Sequence, residues 1–110
     1  MVVNWGKHRN KKELEALYRR IFPTLWRVAA ENGYALAAHG SFRRDFDLIA
    51  VPWRKNVTPY NLLAAKLHKS VCGVRQIQYE WEEKPHGRKA TVFPIAMNAF
   101  IDLSVCPATK

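Results

Sequence analysis

Aspartate is scarce in this chain: Asp45, Asp47 and Asp102 are all there are in 110 residues. Cysteine is rarer still, with Cys72 and Cys106 alone. Two thiols so far apart exclude a disulfide-built miniprotein and read as reduced, structural residues, and four scattered histidines give no zinc-ligand spacing. No apolar run approaches the ~20 residues of a membrane helix, and the lead MVVNWGKHRNKK lacks the apolar core of a secretory signal. A cytosolic protein without a membrane partner is therefore expected. Low-complexity tracts, repeats and linker-like stretches are missing too, which excludes disorder and fibrous architectures. The last deficit is acid: nine Asp+Glu face eighteen Lys+Arg, for a net charge of +9 and a pI near 9.9. That imbalance favours an anionic partner, such as nucleic acid, nucleotide or acidic protein, over the plain reading of a basic surface that only aids solubility.

What is present suits one globular domain spanning 1–110, since 48% of the residues are hydrophobic and a chain of this length can bury a real core. Asn10 and Glu13 form a capping-box signal, and Leu14, Leu17, Tyr18 and Ile21 follow at helical spacing. Pro23 either kinks this helix or opens a second one carrying Leu25, Trp26, Val28 and Ala29, and Asn32-Gly33 stops it. A strand over 34–38 ends at His39-Gly40-Ser41. A second, 45–51, stops at Pro52. Thr58-Pro59 opens a helix with Leu62, Leu63, Ala65, Leu67 and Val71, ended by Gly73. Residues 75–82 alternate strictly, with Ile77, Tyr79 and Trp81 on one side, and predict a half-buried strand. Lys84-Pro85-His86-Gly87 has turn chemistry, 88–95 reads as the returning strand, Met97-Asn98 as another turn, and 100–105 as the last strand. The order α-β-β-α-β-β-β predicts an α+β domain with a mainly antiparallel or mixed sheet of about five strands and helices on one face. Trp26 and Trp81 read as covers of the core edge. Trp5 and Trp53 are candidates for stacking a base.

All three aspartates fall within predicted strands, where aspartate is disfavoured. Asp45 and Asp47, two apart, would share a face, and Asp102 has apolar neighbours on either side. Clustered carboxylates repel unless a cation sits among them, and a pair of Mg²⁺ ions held by carboxylates and substrate phosphates meets that need. The alternative is a salt-bridge network with Arg43, Arg44 or Arg88. Just upstream, Gly40 permits close backbone approach, and Ser41 offers a hydroxyl and an N–H suited to a phosphate oxygen.

Gly40-Ser41, then Asp45-Phe46-Asp47, then Asp102 on a later strand, resembles in order the signature of the polymerase-beta-like nucleotidyltransferase superfamily. The resemblance covers about residues 34–51 and 99–105. It implies that Asp45, Asp47 and Asp102 ligate two Mg²⁺ ions and are the catalytic residues. Gly40 and Ser41 would bind the terminal phosphates of a nucleoside triphosphate, flanked by Arg43 and Arg44. It further implies in-line transfer of a nucleoside monophosphate to a hydroxyl acceptor. Only Phe42, Arg43 and Arg44 separate Ser41 from Asp45, a shorter link than the family's usual one, which predicts a tight hairpin. The alternative function is a non-catalytic basic module of the same fold, binding RNA, DNA or an acidic protein. Lys84, His86, Arg88 and Lys89 around a Gly/Pro turn form a candidate phosphate-contacting loop, with a solvated hairpin tip as the plain alternative. His39 and His86 are candidate proton carriers, and Glu82-x-Lys84 with Asp47 formally matches a metal-dependent nuclease pattern.

Overall fold

The computed structural model describes residues 6–108, and they adopt the α+β class expected. In chain order the elements are α1 (Lys11–Glu31), β1 (Tyr34–His39), β2 (Phe46–Pro52), α2 (Tyr60–Cys72), β3 (Glu82–Glu83), a 3-10 turn over Pro85–Gly87, β4 (Lys89–Ala96) and β5 (Ala99–Val105). The strands form one mixed sheet ordered β1-β2-β5-β4-β3. Neighbours are antiparallel except β2 and β5, which run parallel.

Burial alternates along β2 and β5. Phe46, Leu48 and Ala50 face inward beside Ile101, Leu103 and Val105, against both helices. Among the described residues no helix lies over the opposite face of the sheet, and Val51, Val92 and Phe100 remain exposed there. Helix α1 starts with a complete capping box: the Asn10 side chain accepts from the Glu13 N–H at 2.9 Å, and Glu13 accepts from the Asn10 N–H at 3.1 Å. Its buried stripe is Leu14, Leu17, Tyr18, Ile21, Leu25 and Ala29. Pro23 neither ends the helix nor starts another; α1 is continuous through it. The ring lies on the solvent side, where water can serve the Arg19 carbonyl that proline deprives of a partner. Trp26 does not cover the core edge as its spacing suggested. It shares that solvent side and is 51% exposed.

The alternating segment 75–82 is the main correction. Only Glu82–Glu83 pairs as strand, and Ile77 is 94% exposed. Its two aromatic residues are used instead as anchors on α2. Trp81 Nε1 donates to Asn61 Oδ1 at 2.9 Å, and buried Tyr79 reaches His68 at 2.9 Å. His68 Nε2 lies 2.8 Å from the Pro94 carbonyl, which can only accept. The neutral ring therefore donates from Nε2 and accepts from the Tyr79 hydroxyl at Nδ1. Burial pushes the His68 pKa down. Both cysteines are free, and burial raises the Cys72 thiol to about 11, which makes it inert. Among the described residues no helix is long and apolar enough to cross a membrane.

Candidate metal and phosphate site

The β1–β2 connection builds the site. After His39 the chain turns at Gly40 (φ 87°) and bends through residues 41–45 before β2 begins. Phe42 adopts a left-handed φ of 63°, which drives its ring onto Phe46 at 5.1 Å. The Arg19 guanidinium lies over that ring at 4.9 Å. Arg43 is tied down twice: its N–H donates to Ser41 Oγ at 3.3 Å, and its Nε pairs with Glu15 of α1 at 3.1 Å. The Tyr18 hydroxyl donates to the Arg44 carbonyl and accepts from the Phe100 N–H at 3.2 Å, while its ring stacks on Phe46 at 4.8 Å. One fully buried phenol thus joins α1, the bend and β5. Burial, with the Asp45 and Asp47 charges adding to it, pushes the Tyr18 pKa up and keeps this donor protonated. The helical spacing placed Tyr18 in the core, but nothing in the sequence marked its hydroxyl as the post holding the bend.

The parallel pairing sets Asp47 directly beside Asp102. His39 neighbours Asp47 on β1, and Val92 neighbours Asp102 on β4, so one row across four strands reads His39, Asp47, Asp102, Val92. Register partners share a face, and the buried residues on either side show that this row lies on the uncovered one. Asp45 departs from the expectation: it sits on the bend, one residue before β2, because the Tyr18–Arg44 bond holds the chain there away from the sheet. Asp47 leans over Gly40. The positive φ favours glycine, and a Cβ at Gly40 would stand 2.9 Å from Asp47 Oδ2, so a larger residue would push that carboxylate aside.

Among the described residues none of the three aspartate side chains makes a salt bridge or hydrogen bond, and Arg43 has Glu15 as its partner instead. Burial, then the neighbouring Asp47 and Asp45 charges, raise the Asp102 pKa against the opposing pull of Lys84 and His39. Gly40, Ser41, Arg44, Asp45 and Asp47 line a cleft of about 400 Å³. Asp102 faces a second cleft, of about 350 Å³, with Trp81, Lys84 and Val92 among its walls. In donor type and uncompensated charge the three carboxylates fit a hard cation. Among the described residues, however, no three His, Cys, Asp or Glu side chains stand ready around one point. Convergence on one ion would require side-chain rotation, for which the exposed Asp45 has room.

The basic loop is divided. Lys84 lines the Asp102 cleft and pairs with Glu82 at 3.3 Å, which also ties the Glu82-x-Lys84 pattern to itself. Lys89 pairs with Glu83 at 2.6 Å over the Tyr60 ring, and lies opposite Val105, toward the far end of β5 from the bend. His86 occupies the exposed tip with a φ of 67°, and Arg88 closes the loop through its carbonyl, which accepts from the Lys84 N–H at 2.8 Å. Of these four groups only Lys84 lines a cleft together with one of the carboxylates. Trp53 is 58% exposed beside Arg54, and Trp5 lies outside the described residues. Comparison with known proteins supplies no relative from which a role could be read: no family model, no curated protein and no solved structure matches this chain.

Proposed function

We propose that the protein binds a nucleoside triphosphate with Mg²⁺ and transfers its nucleoside monophosphate to a hydroxyl acceptor, as the resemblance to polymerase-beta-like nucleotidyltransferases implies. The observation that carries this reading is the Asp47–Asp102 pair, brought side by side on the uncovered face without an ion-pair partner among the described residues. Like charges are placed together at a cost that a structural role does not explain. Asp47 and Asp102 would hold the cation, with Asp45 turning in from the bend. Mg²⁺, when bound, neutralises phosphate charge and polarises the α-phosphate. Ser41 and the Gly40–Ser41 backbone orient the terminal phosphates, and Arg44 offsets their charge in the same cleft. Asp102, at the border of the second cleft, helps to draw the proton from an acceptor hydroxyl entering there. The attacking oxygen bonds to the α-phosphorus as pyrophosphate leaves in line.

The non-catalytic alternative is favoured by one observation: no three ligating side chains stand ready around a point among the described residues. Thermal unfolding with Mg²⁺ or Mn²⁺ and each triphosphate separates the two readings. Ligand at ~100 times its Kd should stabilise by about 2.7 kcal/mol. That gain should vanish in Asp47→Asn, and pyrophosphate should be released once an acceptor is supplied. No shift with any triphosphate, alongside a shift with oligonucleotides, would leave the basic binding module.

A further inference from the structure

We infer that the acceptor is the end of a single-stranded nucleic acid, seated in a basic groove that opens into the carboxylate cleft. This rests on the proposed function for its chemistry, but the binding it predicts is independent of catalysis. The groove has a volume of about 470 Å³, and its walls include His8, Lys11, Arg43, Arg44, Asn98 and Phe100. It is continuous with the nucleotide cleft, since Arg44 and Asp45 line both.

Hydrogen bonds between distant parts of the chain hold this groove in place. Asn98, at the β4–β5 turn with a φ of 50°, clamps the backbone of Arg9 from both sides. The Arg9 N–H donates to Asn98 Oδ1 at 2.9 Å, and Asn98 Nδ2 donates to the Arg9 carbonyl at 2.8 Å. Residues 8–11 are thereby fixed beside the 43–45 bend, distant in the chain but adjacent in space. Lys11 and Arg44 make no ion pair among the described residues, while Arg43 shares its charge with Glu15. Among the described residues Asp45 is the one carboxylate on the groove wall.

Phe100 supplies the element that bare charge lacks. It is 36% exposed on the uncovered sheet face, two residues before Asp102. Residues two apart on a strand project to the same side about 6–7 Å from one another. A terminal base stacked on Phe100 therefore brings its sugar hydroxyl beside Asp102, while the preceding phosphates meet Arg44 and Lys11. An aromatic platform flanked by cations suits a single strand, whose base faces are free, and not a duplex, whose base faces are stacked.

The test is fluorescence anisotropy of a short labelled single strand on the full chain, in chelator and without triphosphate, from low to moderate salt. Lys11→Ala with Arg44→Ala should lower the log–log salt slope by about 1.4, roughly 0.7 for each phosphate no longer neutralised. Lys66→Ala with Lys69→Ala removes the same charge from the exposed side of α2 and should leave the slope unchanged. Phe100→Ala should weaken binding about tenfold, and Phe100→Tyr should restore it. If Phe100→Ala fails to fold, Phe100→Leu keeps apolar volume without a ring face and should bind as weakly. Asp47→Asn should bind the strand as well as the wild type or better. The inference is overturned if the α2 pair costs as much as the groove pair, if a duplex or an acidic peptide binds as tightly, or if the ring proves irrelevant. Strand binding without any triphosphate response would defeat catalysis and leave the groove; a triphosphate response without selective strand binding would do the reverse.

Discussion

Replacing Asp102 by asparagine keeps the side-chain shape and removes one of two carboxylates set side by side across β2 and β5. Strands lie about 4.8 Å apart, and two unit charges at that spacing repel by about 0.9 kcal/mol in a fully aqueous medium, or about 3.5 kcal/mol at an effective dielectric of 20. Asp102 is partly open to solvent, so screening places the effect near the lower figure. Without divalent cations at neutral pH, Asp102→Asn should therefore be more stable than the wild type by about 1 kcal/mol, raising Tm by about 4 °C. The gain has a definite pH dependence. Because the folded pKa of Asp102 is raised above its usual 3.8, the folded protein holds the proton more tightly than the unfolded chain does. The wild-type side chain thus contributes stability below 3.8 that is lost as pH rises through the raised value. Urea denaturation in chelator should accordingly show the variant's advantage in full at neutral pH and shrinking in acid. Mg²⁺ should erase it, since only the wild type then gains. A variant about 1 kcal/mol less stable than wild type in chelator at neutral pH would refute the reasoning, because it would mean that Asp102 is held by a stabilising partner.

Three further outcomes follow from the same geometry. Tyr18→Phe keeps the stack on Phe46 but strands the Arg44 carbonyl and the Phe100 N–H; it should cost about 2 kcal/mol in chemical denaturation. Gly40→Ala and Gly73→Ala both place alanine at positive φ, at about 1–2 kcal/mol each. Only the first meets Asp47 Oδ2, so calorimetry should show Mg²⁺ binding lost in Gly40→Ala and kept in Gly73→Ala. His68, with its pKa lowered by burial, contributes stability that is present above its usual 6.5 and lost as pH falls through the lowered folded value. Its ring protons should titrate below 6.5 in NMR spectra, and a normal or raised value would mean that the buried network binds the charged ring.

Local signals in the sequence were sufficient where local physics decides. The Asn10–Glu13 capping box, the stripe from Leu14 to Ile21 and the stop at Gly73 each depend on residues within a turn or two, and each appears where expected. The segment 75–82 misled because alternation records which side chains are anchored, not what the backbone pairs with. Tyr79 and Trp81 do point toward the protein, but onto His68 and Asn61 of α2. Likewise Asp47 and Asp102 could be named from the chain, whereas their adjacency depends on β5 inserting between β2 and β4, which no local pattern encodes. Asp45 fell one residue outside its strand because a distant tyrosine hydroxyl captures the neighbouring carbonyl. The meeting of the lead-in with the bend rests on Asn98, whose amide reads in sequence as a turn residue and nothing more.

The place of β5 in the sheet has a consequence for how the protein comes into being. It follows every other strand in the chain yet occupies the centre, separating β2 from β4. As the chain leaves the ribosome, the β1–β2 hairpin and the β3–β4 segment emerge with the inner edges of β2 and β4 still unpaired, facing a gap that β5 later fills. Until it does, those edges expose Leu48 and Phe93 and are open to pairing with other chains. Closure joins residues about half the chain apart, a slow type of pairing to form. The same event sets Asp102 beside Asp47. No partly made molecule can therefore present the paired carboxylates, and the proposed Mg²⁺ site would form only with the last pairing of the sheet.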